Sequence, residues 1–338
     1  MSDPKRHAAL NIMIYTAALL VVAIQTGPFL ELNPVLNTFF ISTVCRLAMP
    51  FIFCALGYFL FQKIDDNRVR NENRIALWFL RMGRLYLVWT VIYIPYTIWN
   101  YAESGFNFFS IIAWIRDFLL NGSYYHLWFL PAFLLGMLLV YWMYWKKGLK
   151  FMLLSSLGLY LIGYLINIYT PIWESLPLVN IVFGFFTKTL VTARNGLFYA
   201  PVFIGLGACI AKTGINPLKT SAIGFGISFL CLILEVTIYY SLGILTDSSC
   251  MFLCLVPCTW FLLQMVLRIK APWKPIYAEL RPDAILIVVS QILFARIFLL
   301  LLPDAHLVVY MLTLAFCQIF AGGVIRYRHR FAWLNYLM

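Results

Sequence analysis

Residues 10–30 read LNIMIYTAALLVVAIQTGPFL, and the fold follows from what such a run requires of its surroundings. A stretch of this length without a charge crosses the roughly 30 Å hydrocarbon core of a bilayer as one helix. Its one amide side chain near the far end, Gln25, can donate and accept hydrogen bonds but cannot move a proton as an imidazole does. Similar runs recur along all 338 residues, of which 63% are hydrophobic and 11% charged; mean hydropathy is +0.87. Soluble domains carry about 25% charged residues. The chain therefore reads as all-α, a polytopic membrane protein forming one domain over residues 1–338.

About ten spans fit, near residues 10–30, 38–61, 75–99, 125–145, 149–170, 194–212, 219–241, 249–269, 283–302 and 305–325. Ten spans put both termini on one side. Basic residues test that count: Lys5 and Arg6, the group from Lys63 to Arg84 in the second connection, Lys146 to Lys150, Lys212 and Lys219, Arg268 to Arg281, and Arg326 to Arg330 all fall in alternate connections. The opposite connections hold Arg116 and Lys188 beside Glu31, Glu103, Asp117, Glu174, Asp247 and Asp304. The positive-inside rule then makes both termini cytoplasmic. The net charge of +12 is a topological signal and implies no nucleic-acid partner. Lys5 and Arg6 precede a run too long for a cleaved leader, which reads as a retained anchor.

Residues 106–119, FNFFSIIAWIRDFL, suit a helix lying in the outer interface. Residues 176–190 either do the same or re-enter the membrane. The eight cysteines sit in or beside apolar runs, where a thiol behaves as a small hydrophobe. Cys250, Cys254 and Cys258 repeat every four residues, but without a nearby His or acid they favour packing, and no metal site is expected.

Seven polar residues fall inside spans, in the outer half or near it: Gln25, Arg46, His126, Arg194, Glu235, Gln291 and Arg296. An ionisable group at mid-membrane costs at least about 2.5 kcal/mol and usually faces a cavity or a partner. Together they imply an outward-opening polar cavity. Three arginines against one Glu make it cationic, suited to a carboxylate or phosphate. The plainer alternative is structural pairing, for example of Glu235 with an arginine. On the opposite side, the basic 63–84 connection could attract an anionic cofactor such as coenzyme A, although topology already accounts for its charge.

Four strings, AALLVVAIQTGPF (17–29), RLAMPFIFCALGYFLF (46–61), NGSYYHLWFLPAFLLG (121–136) and ARNGLFYAPVFIGLGA (193–208), resemble the acyltransferase-3 family of ten-helix membrane proteins, and within it the branch that includes the membrane domain of vancomycin-resistance serine racemases. The resemblance implies an O-acyltransferase. It would move an acyl or acetyl group from a cytoplasmic donor, with acyl-CoA as a co-substrate rather than a bound cofactor, to an envelope glycan or small acceptor outside. The family's first helix typically carries an Arg and, after ten intervening residues, a His; here those positions are Ile14 and Gln25. Leu56 stands where relatives place a Ser, and Gln291 where they often place a His.

What survives is Arg46, the His126-Leu127-Trp128 motif and Arg194-Asn195. His126 becomes the candidate base, with Gln25 in the place of the family His. Arg46, Trp128, Arg194, Asn195, Glu235, Gln291 and Arg296 become candidate substrate-binding residues. The alternative is a relative that has lost catalysis and binds or transports a small anionic or amino-acid ligand such as serine. On either reading the partners are the lipid bilayer and a small-molecule or glycan acceptor.

Overall fold

A computed structural model describes residues 8–105, 107–174, 176, 184–186, 189–246 and 248–338. Lys5, Arg6, Lys188, Asp247 and most of the 176–190 stretch lie outside the described residues, as do the side chains of Glu103 and Glu174.

Among the described residues every regular element is helical: α1 (Ala8–Thr26), α2 (Pro34–Thr43), α3 (Ala48–Phe61), α4 (Arg68–Ser104), α5 (Phe108–Leu120), α6 (Phe129–Glu174), α7 (Ala200–Thr213), α8 (Leu218–Ser241), α9 (Leu255–Arg268), α10 (Leu280–Leu301) and α11 (His306–Tyr327). Seven helical stretches among the described residues are long and apolar enough to cross a membrane, and α7 and α9 are shorter apolar helices. A straight α6 of 46 residues would be about 70 Å long, more than twice the hydrocarbon thickness. It breaks instead at Gly148, whose φ of +78° suits a residue without Cβ. The two arms flank the same helix, for Gly136 abuts Ala200 and Ile204 while Met152 and Ser156 lie by Gly205.

Helices α3 and α7 form the centre. A Cβ on Gly207 would lie 1.9 Å from the Cys54 carbonyl oxygen, and one on Gly57 would lie 2.2 Å from the Ile204 oxygen. The two backbones therefore touch, which is how helices associate where lipid removes the hydrophobic drive. Around this pair pack α1, the arms of α6, and α9. A second buried cluster joins Trp89 and Tyr93 of α4 to Tyr124, Leu286 and Val324.

Three expectations change in detail. The basic group from Arg68 to Arg84 lies on α4 itself, whose 37 residues outrun the bilayer and carry the helix beyond it. Spans expected at 194–212 and 249–269 become helical only at Ala200 and Leu255, so Cys250 precedes α9 and shares no helix face with Cys258, while Cys254 is the N-cap whose carbonyl accepts from the Cys258 amide at 3.1 Å. Helix α5 matches the stretch read as interfacial: Asn107 and Ser110 form a capping box at its start. Phe108, Phe109, Ile112 and Leu119 on it are exposed, as a bilayer surface requires.

Candidate functional site

Four places where helix gives way to other backbone border one cavity. They are the 3₁₀ turn Cys45–Leu47 between α2 and α3, the 3₁₀ turn Tyr125–Trp128 ahead of α6, and the approaches to α7 and α9, which contribute Arg194, Tyr199 and Cys250. Irregular backbone persists at membrane depth only where protein or a polar cavity satisfies it. Here side chains do so. Asn195 Oδ1 accepts from the amides of Leu197 (2.9 Å) and Phe198 (3.0 Å), and its amide donates to the Thr192 carbonyl (2.9 Å). Asn167 Oδ1 accepts from Cys250 and Met251 at 3.0 and 3.1 Å. Glu235 accepts from Leu253 and Cys254 at 2.8 and 2.9 Å.

The cavity itself measures about 30 Å³, room for a water molecule or two. Six of the sequence-predicted residues line it: Gln25, Arg46, His126, Trp128, Arg194 and Gln291. The Arg194 guanidinium carbon lies 4.6 Å from the centre of the Trp128 ring, a cation–π contact that holds the charge at the wall. His126 Nε2 is 3.1 Å from the Val289 carbonyl oxygen, which also accepts from the Tyr93 hydroxyl at 2.8 Å. A carbonyl only accepts, so Nε2 carries the proton and Nδ1 keeps the lone pair, an assignment made from the bonding pattern. The ring is fixed edge-on against Tyr93, centroids 4.6 Å apart. His126 Nδ1, Arg194 Nε and Gln291 Oε1 are buried without a hydrogen-bond partner among the described residues. Three such atoms around one cavity are what a polar occupant would satisfy.

The other three residues serve elsewhere. Asn195 organises the turn that presents Arg194. Glu235 caps the start of α9 and also accepts from the Tyr239 hydroxyl at 3.3 Å, with no Lys or Arg within 4.0 Å among the described residues. Arg296 donates to Asn100 Oδ1 at 3.2 Å and lies over the Tyr124 ring, tying α10 to α4. Sequence reasoning missed Cys45, Tyr199 and Cys250, because it extended helices through them. Pro201, in the first turn of α7, was the available signal that the helix starts there.

A larger groove of about 750 Å³ opens towards the basic end of the bundle. Ile14, Ile52, Leu56 and Phe133 form its apolar wall, while Lys63, Arg74, Arg81, Arg281 and Arg328 border it. Of these cations, only Arg74 has a carboxylate within 4.0 Å among the described residues, Asp65 at 3.2 Å. Phe129 borders both the groove and the small cavity. No group of three or more His, Cys, Asp or Glu suited to a metal occurs among the described residues.

Residues 7–276 match the family model described as an acyltransferase domain. An "Amino-acid racemase" of Enterococcus faecalis is 30% identical over 278 residues, covering 80% of this chain and 38% of that protein. A second from the same organism is 27% identical, covering 80% and 37%, and a "Serine/alanine racemase" of Enterococcus gallinarum is 29% identical, covering 77% and 36%. The chain thus spans under two fifths of the length of these curated relatives. No solved structure matches.

Proposed function

The chain belongs to the acyltransferase-3 family of membrane proteins, and we propose that it carries an acyl group from a donor in the large groove to an acceptor whose hydroxyl alone enters the small cavity. The observation that supports this is the shared wall: Phe129 alone borders both spaces, one apolar and edged with cations, the other polar and holding an imidazole. Acyl-CoA is the proposed donor, its phosphates meeting the rim cations and its acyl end reaching Phe129. His126 Nδ1, with Nε2–H fixed on Val289, takes the acceptor's hydroxyl proton as the oxygen attacks the thioester carbonyl; the C–S bond then breaks, and the imidazolium returns that proton to the departing sulfur so that coenzyme A leaves as the thiol. Arg46 and Arg194 lie beside the developing oxyanion. Gln25 serves as a hydrogen-bonding wall.

In this proposal the break at Gly148 and the short helices α7 and α9 complete ten crossings, with both termini and the groove on the cytoplasmic side of a bacterial plasma membrane. The basic residues of the groove support that orientation, and the enterococcal relatives support the bacterial setting. The acceptor is an envelope glycan or a small hydroxyl compound.

The test is transfer from labelled acyl-CoA in membranes containing the protein. Replacing His126→Gln is expected to lower it at least about 100-fold, the usual contribution of general-base catalysis. Unchanged transfer in that variant would refute the assignment. A second reading, a relative without catalysis that binds or carries an amino acid such as serine, draws support from two arginines beside a cavity whose position 25 is Gln. Transfer seen only after Ile14→Arg with Gln25→His, together with serine binding by the parent, would favour it.

A further inference from the structure

We infer that the small cavity seats one water molecule as a nucleophile, so that the protein also hydrolyses thioesters, the donor acyl-CoA among them, when no acceptor hydroxyl takes the water's place. This rests on the donor reading above and adds a second reaction at the same base. What carries it is the pattern of hydrogen-bond donors and acceptors around the cavity.

Three groups there are each held by one contact and offer one further atom. His126 gives Nε2–H to the Val289 carbonyl, which leaves the Nδ1 lone pair. Gln291 donates through Nε2 to the Val288 carbonyl at 3.2 Å, which leaves Oε1 as an acceptor. The amide orientation, like the tautomer, follows from a carbonyl's only accepting. The two carbonyls are consecutive on α10, and His126 and Gln291 are both buried. Arg194, held against Trp128, offers Nε–H. None of the three atoms has a partner among the described residues, and all three residues line the same water-sized cavity.

The set is two acceptors and one donor. A water molecule brings two protons and two lone pairs, so it satisfies all three atoms and keeps one lone pair for attack. An anion brings no proton for either acceptor. An alcohol brings one, and if His126 takes it, Gln291 Oε1 stays unpaired. Gln291 therefore serves water and not the alcohol, and sets how turnover divides between hydrolysis and transfer. In hydrolysis the water oxygen attacks the thioester carbonyl carbon while Nδ1 takes one of its protons. The C–S bond then breaks and the imidazolium returns the proton to sulfur, giving a carboxylic acid and the free thiol.

The experiment gives acetyl-CoA to the full chain, purified in detergent, in water labelled with heavy oxygen and without an acceptor alcohol. Acetate carrying the label is expected, released at least about 100-fold faster than by His126→Gln. With methyl glucoside or glycerol added, Gln291→Leu should lower hydrolysis about twofold to tenfold more than transfer, the worth of one neutral hydrogen bond. Gln291→Met repeats the comparison should the leucine variant not fold. Phenyl thioacetate, which lacks the phosphates of coenzyme A, reports the water and the base alone. No release from either thioester overturns the inference, as does release that survives His126→Gln. An equal fall of both reactions in the Gln291 variants also overturns it, since the water would then be structural only. Hydrolysis without transfer leaves the inference standing and counts against the transfer reading. Hydrolysis of phenyl thioacetate but not of acetyl-CoA leaves it standing and removes the donor. Transfer without hydrolysis does the reverse.

Discussion

Glu235 separates two accounts of this protein by a measurement that needs no substrate. If it lined the polar cavity, it would pair with an arginine there. The structure gives it another task, accepting from the Leu253 and Cys254 amides at 2.8 and 2.9 Å just ahead of α9. Two charge-assisted bonds contribute about 1.5–3 kcal/mol each, and a carboxylate at a helix N-terminus adds about 0.3–1 kcal/mol. Removing the carboxylate also recovers the several kcal/mol spent on dehydrating it, though the amides it leaves behind are then unsatisfied. The net loss for Glu235→Ala is therefore on the order of 2–4 kcal/mol. At about 2–4 °C per kcal/mol for a large domain, melting in detergent falls by roughly 4–16 °C. Glu235→Gln keeps one acceptor oxygen and should lose about half as much. The decisive step is a double-mutant cycle with Arg194→Gln: groups without shared partners add within about 0.5 kcal/mol. A coupling above about 1 kcal/mol would refute the capping account and restore the ion pair that the sequence suggested.

Where α3 and α7 touch, Gly207→Ala should abolish folded protein or cost on the order of 4 kcal/mol, because the added carbon meets the Cys54 carbonyl and not a movable side chain; yield and monodispersity in detergent report it. Gly83→Ala on α4 is the control, with nothing within 4 Å of the new carbon, and should raise stability by about 0.5–1 kcal/mol in the same melting assay. Asn195→Ala removes three hydrogen bonds from the turn carrying Arg194 and should cost about 1–2 kcal/mol, with Asn195→Asp recovering the two that use Oδ1. Outside the spans, the Asn67 amide first, then Arg70 and Arg74, hold the Asp65 carboxyl below its ordinary 3.8. That contribution is full above the unfolded value and is lost as pH falls through the lowered one, so Asp65→Asn should flatten the decline in melting temperature below about pH 4.

Much of the fold was legible because membranes make sequence patterns strict. Most of the Leu10–Leu30 run could only be a helix, which ends at Thr26 because Gly27 turns the chain, and alternating basic connections gave the bundle an orientation to test. Legibility failed where helices stop early. Hydropathy reads Arg194–Tyr199 and Cys250–Cys254 as span, since their side chains are apolar enough. Their amides are satisfied by Asn195, Asn167 and Glu235, and two of these three are distant in sequence from what they cap. Position 281 failed for a different reason: an arginine near a span end is explained by topology, and nothing local reveals that Asn11 reaches it across the bundle.

The same contrast bears on α1, where the resemblance puts the family's Arg and His positions at Ile14 and Gln25. They border different spaces, Ile14 the apolar groove and Gln25 the polar cavity. Eleven residues of helix separate them by about 16 Å, so the two replacements act on different steps. On that mapping Ile14 leaves its part of the groove without charge, but Arg281, bonded to Asn11, brings one to the next turn of the same face. On the same mapping Gln25 leaves the cavity without a base at that position, but His126 borders it with a ring nitrogen that has no partner among the described residues. Each missing group thus has a neighbour of the same chemistry from another helix. If acyl transfer occurs here, Arg281 and His126 must fail independently when replaced, Arg281→Gln in donor affinity and His126→Gln in turnover with affinity retained. A single defect shared by both variants would mean that neither has taken over the lost role.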